Sequence, residues 1–137
     1  PHNLGAILRS AEAAGVHGVI IPKRNSVTLN YTVAKTSAGA IEYVPVVKVA
    51  NLPAAIDELK SRGVWIFGAD MDGTDYTALD YSGSIALVIG SEGKGIGRLV
   101  REKCDFIASL PMRGKINSLN ASVAAGILMF EAAKHRN

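Results

Sequence analysis

Apolar residues recur along this chain at helical spacing in some stretches and as short unbroken runs in others. In NLGAILRSAEAA (3–14), Leu4, Ile7, Leu8, Ala11 and Ala14 follow the spacing of one helix face, with Asn3 placed to cap and Gly15 to terminate. GVIIP (18–22) is a β-branched run closed by proline, which predicts a buried strand. A weaker helical pattern covers 28–37, and VPVVKV (44–49) predicts a second strand. In NLPAAIDELKSRG, Asn51 stands as an N-cap, Pro53 falls in the first turn and Gly63 after the last, so a helix is expected over 51–63. VWIFGAD (64–70) predicts a strand and MDGTDY (71–76) a turn. SIALVIG (84–90) is a continuous apolar strand, followed by a glycine loop and a short helix near 97–103. DFIASLPM (105–112) holds a further strand, and a last helix is expected over 118–135.

Strands alternating with helices, several of them apolar throughout, define an α/β domain. Its sheet should be mostly parallel and flanked by helices on both faces. No repeat, low-complexity segment or linker interrupts the 137 residues, so one domain over 1–137 is expected. A hydrophobic fraction of 48% supports a core without covalent staples. The net charge of +3 is compatible with an anionic partner without requiring one. Cys104 is the single cysteine, cannot form an intrachain disulfide, and fits a reducing compartment such as the cytoplasm. It also reads as a small buried hydrophobe. No run approaches the ~20 apolar residues needed to cross a bilayer, and no signal peptide pattern is present. The chain begins at Pro1 and opens almost directly into a helical pattern, so a preceding strand or domain is expected.

Three stretches carry chemistry. In LVIGSEGKGIG (87–97), a strand runs into Gly90, Gly93, Gly95 and Gly97, and glycines at a strand's carboxyl end let backbone approach a ligand closely. The spacing is not that of a Walker A loop, and the G-x-G-x-G at 93–97 comes too late in the chain for a dinucleotide fingerprint. A plain flexible turn is the other reading, and Glu92 is either a site carboxylate or a salt-bridge partner. In LPMRGKINSLN (110–120), a strand end leads through a polar loop to a helix N-terminus, where unpaired N–H groups favour anions. Asn117 or Ser118 as a cap accounts for one of the four polar residues Asn117, Ser118, Asn120 and Ser122, but not readily for all. In PHNLGAILRSAE (1–12), Arg9 lies on an otherwise apolar helix, either snorkelling or paired with a functional group.

Other chemistries fall away. His2, His17 and His135 have no metal-ligand spacing, so no metal is expected. No G-x-S-x-G elbow occurs, MDGTD lacks the calcium-loop pattern, and 6% aromatics argue against a base-stacking RNA module.

PHNLGAILRSAEAAG, LVIGSEGKGIG and LPMRGKINSLNASVAAGILMFEA, in this order, resemble the three motifs of the SpoU (TrmH-like) branch of the SPOUT RNA ribose 2′-O-methyltransferases. The resemblance covers essentially the whole chain, and its details look closest to the 23S rRNA guanosine 2′-O-methyltransferase (RlmB) subgroup. It implies a C-terminal deep trefoil knot and S-adenosylmethionine held there. Backbone at Gly90, Leu110 and Leu119 would contact the cofactor together with Met112, Ser118 and Asn120, with Gly68 and Ala69 beside the adenosine. Small-residue packing is the alternative for that pair. The polar site implied is Asn3, Arg9, Glu92, Ser118 and Asn120. The resemblance also implies a homodimer with the active site completed across its interface, and an RNA substrate, rRNA or tRNA.

RNA binding should be electrostatic, with Arg9, Lys94, Arg98, Arg113 and Lys115 as candidate contacts and Lys23, Arg24 and Arg101 beside them. Two other readings stay open at this point. One is a nucleotide- or dinucleotide-binding α/β enzyme using GSEGKGIG; the other is a non-catalytic RNA-binding or dimerisation module with the same fold.

Overall fold

The computed structural model describes residues 2–23, 35, 37–90, 95–115 and 120–136, in two compact units, Pro1–Leu52 and Pro53–Asn137. Most of the helix expected over 28–37 lies outside the described residues; Ser37 to Gly39 form a turn.

In the first unit, helix α1 (His2–Ala14) precedes strand β1 (Val19–Pro22), a 3-10 turn (Ala40–Glu42) and strand β2 (Val46–Val49). Helix α1 starts at His2, so Asn3 lies within its first turn and not at the cap. Leu4, Leu8 and Ala11 bury one stripe of the helix, as their spacing requires. The helix ends in a Schellman pairing: Gly15 N–H donates to Glu12 O (3.1 Å) and Val16 N–H to Ala11 O (2.9 Å), with Gly15 at φ +80°.

Strands β1 and β2 run parallel, Val19 opposite Val46 through Pro22 opposite Val49. The buried strand expected at 18–22 is not found: Ile20 is 39% exposed and Val47 52%. Burial along β1 alternates residue by residue, so one of its faces stays uncovered among the described residues. With two strands among the described residues, each is an edge, and Pro22 sits at a strand end where a missing N–H is tolerated.

The second unit carries helix α2 (Leu52–Ser61), strand β3 (Trp65–Asp75), a 3-10 turn (Tyr76–Ala78), strand β4 (Ile85–Val88), helix α3 (Arg98–Lys103), strand β5 (Phe106–Ser109) and helix α4 (Ala121–Ala133). The strand order is β4-β3-β5, and both pairings are parallel. Parallel strands need crossovers, and α3 lies in the chain between β4 and β5, which flank β3 on its two sides. The single sheet expected from the pattern is therefore two among the described residues, one in each unit, both parallel.

Strand β3 is central, which is why Ile66, Phe67 and Gly68 are all buried. Phe67, Tyr81 and Ala132 form a core cluster, with Leu79, Ile85 and Leu87 packed on it. The Tyr81 ring lies 4.8 Å from Phe67, and its hydroxyl donates to Tyr76 O at 2.6 Å. Burial, with Glu131 nearby, pushes the Tyr81 phenol up to about 12. At the other end of the sheet, Asp105 clamps the strand starts. Its carboxylate accepts from Ile66 N–H, its own N–H donates to Ile66 O (both 2.8 Å), and Lys60 of α2 lies 3.5 Å from it.

The turn expected over 71–76 is instead an interruption inside β3. Pairing with β5 runs through Ala69 opposite Ala108, breaks, and resumes with Thr74 opposite Ala108 and Asp75 opposite Ser109. Residues 70–73 form the excursion, and Asp72 takes a left-handed φ of +59° within it. No helix among the described residues is long and apolar enough to cross a membrane.

Candidate functional site

Because β3, β4 and β5 run parallel, their carboxyl ends share one edge of the sheet. Gly68 lies opposite Val88 and Ile107, and Ala69 opposite Ala108. Gly90 follows β4 by two residues, and Leu110 and Met112 follow β5. Five of the predicted cofactor residues therefore gather at this edge: Gly68, Ala69, Gly90, Leu110 and Met112. In open α/β sheets that edge is where ligands bind.

The glycines there have distinct reasons. A Cβ at Gly90 would stand 2.0 Å from Gly95 O, so the two ends of the 90–95 loop pinch together backbone to backbone. A Cβ at Gly68 would come 2.7 Å from both Cys104 Sγ and Ile96 Cδ1. Gly68 is thus required by packing beneath the edge. Burial pushes the Cys104 thiol up, with Asp105 adding to the effect, so the cysteine stays neutral and donates to Val100 O at 3.3 Å.

Polar side chains tie the β3 excursion in place. Ser109 Oγ donates to Asp70 O and accepts from Gly73 N–H, each at 2.7 Å. Asp70 Oδ1 accepts from Met71 N–H at 2.8 Å, and Asp70 Oδ2 accepts from Arg101 Nη1 at 2.8 Å. Arg101 Nη1 also donates to Met71 O at 3.1 Å. Neither Asp70, the partner of Arg101, nor Ser109 stands out in the motifs. Asp70 had a local signal, an aspartate at the carboxyl end of an apolar strand, but nothing local says what faces it.

Asn120 is the N-cap of α4: its Oδ1 accepts from Ser122 N–H at 2.9 Å and from Ser122 Oγ–H. The cap expected at Asn117 or Ser118 is therefore two or three residues too early, and the helix begins at Ala121. Arg101, named as a candidate phosphate contact, pairs with Asp70 at 2.8 Å. Arg98 pairs with Glu102 at 3.1 Å on the surface, and Arg113 and Lys115 are exposed just beyond β5. Arg24, Glu92, Lys94, Ser118, Leu119 and the Asn3 side chain lie outside the described residues.

Arg9 is exposed on α1 in the first unit and makes no ion pair among the described residues. It lines a cleft of about 310 Å³ there with Glu12, Ser37, Ala38 and Tyr43. Among the described residues, no three His, Cys, Asp or Glu side chains cluster as metal ligands would.

This edge, with a glycine-pinched loop after one strand and a polar helix start after another, has the placement at which α/β domains bind ligands. The family model of the SpoU rRNA Methylase family matches residues 1–130, and the chain belongs to that family. YacO of Bacillus subtilis, assigned to the TrmH family tRNA/rRNA methyltransferases, is 57% identical over 138 residues, covering all of this chain and 55% of YacO. Among solved structures, the SpoU methyltransferase AviRb from Streptomyces viridochromogenes matches with TM-score 0.91 and 32% identity over 99% of this chain and 55% of AviRb. AviRb has also been solved with the cofactor AdoMet. The A. aeolicus TrmH/SpoU tRNA modifying enzyme matches with TM-score 0.88 and 31% identity, over 98% of this chain and 69% of that one. The chain spans little more than half the length of the curated relative it matches.

Proposed function

We propose that residues 1–137 are the catalytic domain of an S-adenosylmethionine-dependent RNA methyltransferase acting on a ribose 2′-hydroxyl, with guanosine in 23S rRNA as its target. The observation that carries this reading is the glycine-pinched loop at the shared carboxyl edge of β3, β4 and β5 in a chain of the SpoU family. The AdoMet complex of AviRb supports the cofactor. A single family model running from residue 1 to 130 supports treating both compact units as one domain. The deep trefoil knot, the homodimer with an active site completed across its interface, and a cytoplasmic location belong to the same proposal.

The edge suits the cofactor chemically. Gly90 carries no side chain to stand between its backbone and a ligand, and Leu110 and Met112 offer apolar surface to an adenosine. In this reading backbone at Gly90, Leu110 and Leu119 holds the cofactor, with Met112 beside it. When bound, S-adenosylmethionine supplies a methyl group already activated by its sulfonium charge.

The chain's own task is then positioning and removal of the 2′-proton. Arg9 holds the phosphate and ribose of the target nucleotide or helps take the 2′-proton; the first role is favoured, because a guanidinium that stays protonated is a poor base. Asn3, Ser118 and Asn120 orient the hydroxyl. Asn120 does so through its amide N–H, because its oxygen is committed to the α4 cap. Glu92 braces the loop that carries it, and Lys94, Arg98, Arg113 and Lys115 meet RNA phosphates.

A tRNA target is the second reading, favoured by the likeness to the A. aeolicus tRNA modifying enzyme.

The test begins with calorimetric titration of S-adenosylmethionine, S-adenosylhomocysteine and NAD. The first two should bind and NAD should not; the reverse would turn the assignment toward a dinucleotide enzyme. Transfer of labelled methyl to unmodified 23S rRNA or to tRNA then separates the two targets. RNA retention without methyl transfer would mean a binding module. Arg9→Ala should reduce turnover at least about a hundredfold while sparing cofactor affinity. Wild-type turnover in that variant would remove Arg9 from the mechanism.

A further inference from the structure

The Asp70–Arg101 pair joins three segments that are distant in the chain and adjacent at the sheet edge. Asp70 opens the excursion in β3, immediately after Ala69. Arg101 lies on α3, the helix that follows the glycine loop, and its Nη1 bridges Asp70 Oδ2 (2.8 Å) and Met71 O (3.1 Å). The third segment is the exit of the loop itself. A Cβ at Gly95 would fall 2.8 Å from Asp70 Oδ1, so Gly95 packs directly on the carboxylate. Gly95 in turn presses its carbonyl on Gly90. The carboxylate is thus the wall against which the neck of the 90–95 loop rests, and Arg101 holds that wall at its far oxygen.

Position alone does not require an ionised pair here. A buried apolar side chain could also back a glycine. The carboxylate is used because both its oxygens are committed in different directions, Oδ1 to Met71 N–H and Oδ2 to Arg101. Two fixed oxygens orient the group, and an oriented group sets the height of the loop exit above the sheet. Ser109 completes the arrangement by holding Asp70's own carbonyl.

We propose that Asp70 and Arg101 are positioning residues that fix the neck of the glycine loop, and through it the cofactor-facing backbone at Gly90. They act through the loop and do not touch substrate. This rests on the reading above that Gly90 faces S-adenosylmethionine, but the loop-holding step itself does not depend on any ligand.

The experiment has two arms on the full chain. In the first, without ligand, amide hydrogen exchange over residues 90–97 is compared in wild type, Asp70→Asn, Arg101→Gln and Arg101→Lys. In the second, S-adenosylhomocysteine affinity is measured calorimetrically for the same proteins. Exchange should quicken in Asp70→Asn and Arg101→Gln, with affinity lower by about tenfold in each. Arg101→Lys keeps the cation, so it should stay near wild type in both arms; this separates loss of the charge pair from general loosening of α3. Unchanged exchange in Asp70→Asn and Arg101→Gln overturns the proposal whatever the ligand does. Faster exchange with unaltered affinity also overturns it, because the loop neck would then not set the cofactor site. If wild type binds no S-adenosylhomocysteine, the cofactor reading fails, and the exchange arm still decides whether the pair holds the loop.

Discussion

At the scale of single residues, close approach decides more than identity does. Gly63 and Gly90 show this. Gly63 has φ +85° and open space where a Cβ would go, so Gly63→Ala meets only backbone strain, about 1 kcal/mol. Gly90→Ala would push a methyl into Gly95 O, which is backbone and cannot swing away. It should cost about 1–3 kcal/mol and also weaken cofactor binding, which Gly63→Ala should leave alone. Urea midpoints and calorimetry on both variants check the contrast. Tyr81 makes a second residue-scale case. Its phenol is held neutral by burial, so its folded pKa, about 12, lies above the ordinary 10. The neutral form is favoured in the fold; that stabilisation is complete below pH 10 and is lost as pH rises from 10 through about 12. The loss should approach about 3 kcal/mol. Tyr81→Phe cannot ionise and should show a flatter alkaline limb, at the cost of about 1 kcal/mol near neutrality for the hydrogen bond to Tyr76 O. An equal alkaline loss in both proteins would assign it to another group.

At the scale of elements, α4 shows how one residue can serve two ends. Its start is polar because Asn120 must satisfy a free N–H of the first turn, and Asn120 is also in the proposed methyl-transfer set. The two roles use different atoms. Asn120→Asp keeps an acceptor oxygen and loses the amide donor, whereas Asn120→Ala loses both. Thermal unfolding should find Asn120→Ala down by about 1 kcal/mol and Asn120→Asp close to wild type. Methyl transfer should fall in both. Full activity in Asn120→Asp would confine the residue to capping. Strand β3 makes the opposite point. M-D-G-T-D has no apolar alternation and only Thr74 as a β-branched residue, so little local marks it as strand. It becomes one because Ser109, 36 residues on, receives Gly73 N–H and lets Thr74 and Asp75 pair with β5.

At the scale of the whole molecule, the charge of +3 matters only through where it is free to act. Arg101 is bound to Asp70, Lys103 to Asp57 at 2.9 Å, and Arg98 to Glu102. Arg113 and Lys115, of the proposed RNA contacts, are exposed beyond β5. Replacing both with Gln should lower the slope of log affinity against log salt by about 1–2, and Arg98→Gln by less, since its charge is already partnered. Filter binding across a salt series checks this; an unchanged slope in the double variant would move the RNA contact elsewhere.

Much of this protein was legible in its sequence. Continuous apolar runs placed the strands, helical spacing placed α1 and α2, and Gly15 and Gly63 marked their ends, because burial and backbone sterics act over neighbouring residues. The three motifs placed the chain in its family. The proposed cofactor residues Gly68, Ala69, Gly90, Leu110 and Met112 came from that resemblance; what the structure adds is that they lie at or beyond the carboxyl ends of β3, β4 and β5. The tertiary structure alone decided that β1 and β2 stay half exposed, that β3 resumes after residue 73, and that Arg101 belongs to Asp70. Each of these depends on a partner supplied by packing, 31 residues away in the case of Asp70 and Arg101. Local propensity carries no information about a partner that only the crossover between strands brings within reach.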